Sequence, residues 1–349
     1  MAYISFKPKD YFNTLTYTGN ESAGHAITGV GFQPDFVWFK NTGATDSHSM
    51  YDSVRGVTKQ IEADTSGAET TESTGLASFD SDGFTVGTRT ASNSNNMSIC
   101  SWNWKTTNSQ GSANSDGSVT TTYTSANTTA GFSISKFTAT GSTMTFGHGL
   151  GVAPSSVWVK RTDAVGNGAW MIYQKDMTAG SYLRLDDNSA KATDNTRFGG
   201  VEPTSSVVTV STELLSGGEY VAYCFVEKSG FFNTGIYFGN GNNDGSYIYT
   251  GFKPAWIMVK QETGNQGWIL QDSVRNNPSL MIGNPIIATL FPSSNAAEST
   301  SGFNVDFHSN GFKVKSTDHA HNANNNSYVY WAFAEEPLVS SNKIPATAR

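Results

Sequence analysis

Two cysteines, Cys100 and Cys224, are too few for a disulfide framework or a zinc cluster. Both sit in strand-like runs and are read as buried free thiols. Charge is scarce as well. Asp, Glu, Lys and Arg make up 15% of the chain, against roughly 25% in ordinary soluble domains. The balance is acidic, 29 Asp and Glu against 22 Lys and Arg for a net charge of −7, and no basic stripe interrupts it. A nucleic-acid partner is excluded on that ground, because neutralising phosphates takes clustered Lys and Arg. No run approaches the ~20 apolar residues of a membrane span, so no membrane insertion is expected. Met1-Ala2-Tyr3-Ile4-Ser5-Phe6-Lys7 lacks the apolar core of a signal peptide, which predicts synthesis in the cytoplasm. No segment holds a helical period between caps.

Ser, Thr, Asn and 35 Gly fill the space, with aromatics at 12% concentrated in short runs. That mixture favours short strands joined by tight turns, with the aromatics in the core. Residues 12–55 align with 232–275 without a gap, at 14 identities in 44 positions. Phe12-Asn13-Thr14 matches Phe232-Asn233-Thr234, Gly31-Phe32-Gln33-Pro34 matches Gly251-Phe252-Lys253-Pro254, and Asp52-Ser53-Val54-Arg55 matches Asp272-Ser273-Val274-Arg275. A fainter middle copy opens at Phe132-Ser133-Ile134. It carries Gly151-Val152-Ala153-Pro154 and Val157-Trp158-Val159-Lys160, and it closes at Tyr220-Val221-Ala222-Tyr223-Cys224-Phe225. In every copy a Lys stands six positions after the corner Pro: Lys40, Lys160, Lys260.

A Gly-x-x-Pro corner feeding a β-branched and aromatic run reads as a buried strand. Asp82-Gly83 and Asn310-Gly311 are hairpin signals. The predicted fold is all-β, three tandem jelly-roll (concanavalin-A-like) β-sandwich modules. Residues 1–11 form an N-terminal arm, 12–107 the first module, and 108–130 a linker or edge strand. Residues 131–229 form the second module, 230–339 the third, and 340–349 a C-terminal tail. Alternation over Ser118–Tyr123 favours the edge strand, and the short join Glu227-Lys228-Ser229-Gly230 predicts close packing of the second and third modules.

Gly147-His148-Gly149-Leu150-Gly151-Val152-Ala153-Pro154 resembles a run common in tailed phages, especially marine ones. So do Gly31 to Lys40 with Asp52 to Gly56, and the closing Ala332-Phe333-Ala334-Glu335-Glu336-Pro337. The resemblance is to virion structural and tail-fibre-like proteins with concanavalin-A-like repeat domains. It implies a non-enzymatic virion surface protein, in a tail fibre or tail tip that meets the host. A capsid decoration or head-fibre protein is the alternative, and a glycan-binding or polysaccharide-degrading module is another. The implied partners are other virion proteins, copies of the same chain, and a host surface glycan. The family pattern carries no catalytic residues to transfer.

Asp52/Arg55 and Asp272/Arg275 share a register and are read as structural turns, the carboxylate capping backbone N–H groups. Asp176 in the middle copy is followed by Met177-Thr178-Ala179, which weakens a ligand role. His319 and His321 are the candidate metal ligands, although their Asn-rich surroundings favour a solvated hairpin tip. Trp170 and Trp268, each after a Gly-rich turn, are the candidates for stacking on sugar. Asn240 to Gly245 lacks the acidic ligands of a calcium loop, and Asp186-Asp187 reads as a polar turn. No Ser-His-Asp set, nucleophile elbow or phosphate loop is present, so no cofactor or enzymatic activity is predicted.

Overall fold

The aromatic and β-branched runs after each Gly-x-x-Pro corner build the same four-strand antiparallel core three times, within sheets of six, five and four strands. In the first repeat the opening strand Phe12–Thr18 pairs with the closing strand Ser98–Trp104, then Phe36–Asn41, then Ser49–Asp52. The second repeat follows the same order with Phe132–Thr138, Glu219–Phe225, Ser156–Arg161 and Met171–Gln174. The third uses Phe232–Phe238, Ser327–Ala334, Pro254–Gln261 and Ile269–Asp272. The third member of each set, here the lysine strand, carries Lys40, Lys160 or Lys260. This computed structural model describes residues 7–163, 168–275 and 284–335, with backbone alone at Leu338–Val339 and Pro345–Ala346. The rest of the expected 340–349 tail lies outside the described residues.

Register fixes the correspondence between copies. Trp104, Phe225 and Phe333 stand opposite Phe12, Phe132 and Phe232, and Trp102, Tyr223 and Trp331 precede them by two residues. Gly31, Gly151 and Gly251 turn each corner at φ +89°, +71° and +82°, a region where a side chain is strained.

One face of each main sheet packs on a small sheet. In the first repeat Val37, Phe39 and Ile99 meet Ile27, Phe84 and Val86 of the sheet formed by His25–Thr28, Gly83–Val86 and Leu76–Asp80. In the second, the partner is Met144–Gly147 with Val207–Val210. In the third, it is Tyr247–Tyr249 with Gly311–Val314 and Val305–His308. Each repeat is thus a β-sandwich. The Asp82-Gly83 and Asn310-Gly311 signals fall in hairpins, as expected.

The opposite face of each main sheet is buried too, against the other two repeats. Phe36, Trp38, Trp102 and Trp104 join Phe132, Trp158, Tyr223 and Phe225 and then Trp256, Trp268, Trp331 and Phe333 in one core. Each sandwich therefore shares a second core with its neighbours. Three sheets turn an aromatic face inward onto a common centre, which is why Phe36–Asn41 is buried at every position instead of alternating. Burying side chains of this size contributes about 1.5–3 kcal/mol each.

The segment between the first two repeats does supply an edge strand, later than alternation suggested. Tyr123–Asn127 pairs with Phe132–Thr138, while Ser118 and Val119 lie along Thr145 and Phe146 of the small sheet. Of the N-terminal arm, Pro8–Asp10 forms a 3-10 turn, and residues 1–6 lie outside the described residues.

Candidate functional site

The repeated Lys marks the joint between neighbouring repeats. Lys160 Nζ donates to the Gly168 carbonyl at 2.5 Å in its own hairpin and to the Thr65 carbonyl at 3.0 Å in the first repeat. Lys260 Nζ donates to Gln261 and Gly264 in its own hairpin and to Asn188 in the second repeat. Lys40 Nζ donates to Asn41, Ala44 and Asp46 and reaches Asn295 in the third repeat. Each repeat thus reaches the one before it, and the cycle closes. All three side chains are fully buried. Burial pushes their ammonium groups down to about 8, opposed by carboxylates such as Asp46, Asp186 and Asp187.

Lys160→Met strands the Thr65 and Gly168 carbonyls. We expect it to cost about 2–4 kcal/mol in urea unfolding, each stranded buried acceptor costing roughly 1–3. An unchanged midpoint would show that the ammonium is dispensable there. Lys160 titrates near 8 in the fold against 10.5 when free, so the unfolded chain holds more protons in between. Stability therefore rises with pH from about 8 toward 9, less steeply in the variant.

The Asp–Arg turns are structural, as read from sequence, and they also bridge repeats. Asp52 accepts from Arg55 N at 2.8 Å and from Arg55 Nε at 2.5 Å, and takes the Tyr223 hydroxyl of the second repeat at 2.6 Å. Asp272 accepts from Arg275 N at 2.9 Å and Nε at 2.6 Å, and takes Trp102 Nε1 of the first repeat at 3.1 Å. Glu69 and Glu298 hold the far side of the two guanidinium groups. In the middle repeat the register opposite Ser156 places Gln174, not Asp176, in this position, and Met177 where Arg would stand. There Trp331 Nε1 donates instead to Ser156 Oγ at 2.8 Å.

Trp170 and Trp268 are not sugar platforms. Both are 0% exposed. They occupy equivalent places next to the lysine, and each seals a joint: Trp170 Nε1 donates to the Glu62 carbonyl at 2.9 Å and Trp268 Nε1 to the Arg184 carbonyl at 2.7 Å. His48 takes the place in the first repeat, accepting Trp38 Nε1 on Nδ1 at 2.9 Å, and burial holds its ring neutral.

With the joints accounted for, the exposed aromatics stand out in the third repeat. Tyr247 and Tyr249 on the edge strand of its small sheet are 46% and 67% exposed. Tyr247 stands opposite Lys313, itself opposite Asp306, and Tyr249 stands opposite Gly311, itself opposite His308. Residues directly opposite share a face, so these six positions form one outward surface, while Ile248, Phe312 and Phe307 point into the core. Tyr247 lies across Gly311, hydrogen-bonded to Asn310 and 5.6 Å from the His308 ring. A groove of about 780 Å³ adjoins it, lined by Asn242, Asn284, Asn304, Asp244, Asp306 and Lys315. A second cleft, about 560 Å³, lies at the first joint among Asp64, Asp186, Arg184 and Arg197.

The Domain of unknown function (DUF7483) family matches residues 7–337. The chain belongs to the DUF7483 family. No curated protein and no solved structure matches it.

Other sequence candidates resolve into parts of the DUF7483 frame. His319 and His321 lie on the four-residue helix His319–Asn322, not a hairpin tip, and are poorly placed to share a metal. Two residues apart on a helix, their side chains diverge by roughly 200°. His319 is exposed, whereas His321 is buried 5.7 Å from Phe303, its ring pushed down to about 3 by burial. Among the described residues no group of three His, Cys, Asp or Glu could hold a metal ion. Asp186 caps Trp170 N at 2.8 Å and Asp187 pairs with Arg184 at 3.4 Å, which are turn roles. Asn240 and Asn242 cap the backbone of their own loop. Both cysteines are free and buried, as read from sequence. Among the described residues no helix is long and apolar enough to cross a membrane.

Proposed function

We propose that this DUF7483 chain is a non-enzymatic surface protein of a tailed-phage particle, in the tail fibre or tail tip, where it takes part in host recognition. In this reading it assembles with other virion proteins and with copies of itself. One observation carries it. The titratable groups shared between repeats (Lys40, Lys160, Lys260 and the two Asp–Arg pairs) are buried in the joints between them. A rigid frame with divergent exposed loops and edges suits recognition rather than turnover. The resemblance of the Gly-x-x-Pro segments and of Ala332 to Pro337 to phage structural proteins supports the particle assignment. A second reading, capsid decoration or head fibre, is favoured by the lack of a helical shaft: among the described residues no helix exceeds four residues.

Immunogold labelling of intact particles tests both. Label at the tail tip is the expected result. Label spread over the capsid moves the protein to the second reading, and particles free of label overturn both.

A further inference from the structure

We infer that the outer face of the third repeat's small sheet is a binding site for an uncharged glycan, with Tyr247 and Tyr249 as its stacking platform. The repeats themselves provide the comparison. Ile27, Phe146 and Ile248 are equivalent inward positions, opposite Phe84, Val208 and Phe312. The outward neighbours are Ala26 and Thr28 in the first repeat and Thr145 and Gly147 in the second, against Tyr247 and Tyr249 in the third. The frame therefore does not require aromatics there, and two repeats fold with small residues. In the second repeat the face is also covered, with Ser118 N donating to Thr145 Oγ1 at 2.8 Å. In the third it stays open, with both phenol rings exposed side by side on the edge strand.

The chemistry fits a sugar polymer. Alternate residues of one strand lie roughly 6.5–7 Å apart, so two rings on one face offer two successive platforms along an extended chain. Tyr247 is held along the sheet over Gly311, and it feels the Tyr249 phenol, which helps raise its pKa after burial itself. Aromatic faces receive the C–H face of a pyranose, and the phenol hydroxyls and neighbouring amides serve its hydroxyls. Asn242, Asn304 and Asn310 supply amide groups at the rim, while Asn284 is held by the Phe307 backbone N–H and carbonyl. Charge is balanced. Asp244 pairs with Lys313 at 2.5 Å and with Lys315 at 3.7 Å, and Asp306 offsets the second lysine. A rim without net charge selects for an uncharged polymer over an anionic one.

The site deepens the host-recognition reading and rests on it only for where the glycan comes from. The test uses the whole purified chain in affinity gels containing dextran, mannan, galactan, xylan or soluble chitin oligomers, with hyaluronate as the anionic comparison. At least one uncharged polymer is expected to retard the protein. Tyr247→Ala and Tyr249→Ala should each weaken retardation about tenfold or more, while Thr28→Ala at the equivalent place in the first repeat leaves it unchanged. Circular dichroism confirms that the variants are folded. Retardation by none of the uncharged polymers, retardation by hyaluronate alone, or retardation untouched by both Tyr variants each overturns the site. Sugar binding without label on particles would sink the particle assignment alone. Label without sugar binding would sink the site alone.

Discussion

Expressed alone, residues 131–229 are expected to fail as a stable monomer, although they span a whole sandwich. Their small-sheet core would survive separation, with Phe137, Phe146, Val157 and Val208 all within the segment. The other face would not. Trp158, Trp170, Tyr223 and Phe225, each at most 1% exposed in the whole chain, face the first and third repeats. Aromatic side chains bury 150–250 Å² each, so these four account for roughly 600–1,000 Å² of ring surface. A soluble monomer seldom exposes a contiguous apolar patch beyond about 300–600 Å². Lys160 would also lose the Thr65 carbonyl, and Trp170 Nε1 the Glu62 carbonyl. The fragment should self-associate or lose its fixed tertiary packing, visible as a lost near-ultraviolet dichroism signal with dye binding. The full chain should melt in one cooperative transition, because its repeats share a core. A monodisperse fragment with native near-ultraviolet dichroism would show that each sandwich is self-sufficient and that the common core adds little.

Much of this arrangement was legible in the sequence, and the parts that were not have physical causes. The Gly-x-x-Pro corners and the β-branched, aromatic runs that follow them predicted the strands. The run Phe36-Val37-Trp38-Phe39 announced a buried strand, but nothing local says that its second face meets another repeat. The invariant Lys40, Lys160 and Lys260 were visible as a pattern, yet a cation inside an apolar run acquires meaning only once the neighbouring repeat's carbonyls are beside it. For Trp170 and Trp268 a Gly-rich turn suggests exposure, whereas the turn packs into a joint. The outward place of Tyr247 is hidden in the sequence for a geometric reason. The ungapped alignment matched it to the core residue Ile27. Pairing in the small sheet shifts that match by one residue, to Ile248. A single-residue slip exchanges the two faces of a strand, which turned an outward tyrosine into an apparent core residue.

The Asp–Arg turns offer the clearest test of what the repeats share. Arg55→Met should cost about 3–5 kcal/mol, because it leaves the Asp52 carboxylate buried without its cation. Asp52 is 0% exposed and would keep only the Tyr223 hydroxyl and backbone donors. Adding Asp52→Gln should recover most of that loss, leaving the double variant within about 1 kcal/mol of the native chain, since replacing both members of a buried pair is often neutral. The middle repeat supplies the precedent, with Gln174 and Met177 in these positions and Met177 part of the common core. Glu69 loses a partner in both variants but lies nearer solvent and keeps Lys59 at 3.6 Å. Urea midpoints of the native, single and double variants decide the matter. If the double variant is no more stable than Arg55→Met, the ion pair does more than fill space: it fixes how the first repeat's turn seats against Tyr223, a task that Ser156 and Trp331 perform at the corresponding joint of the second repeat.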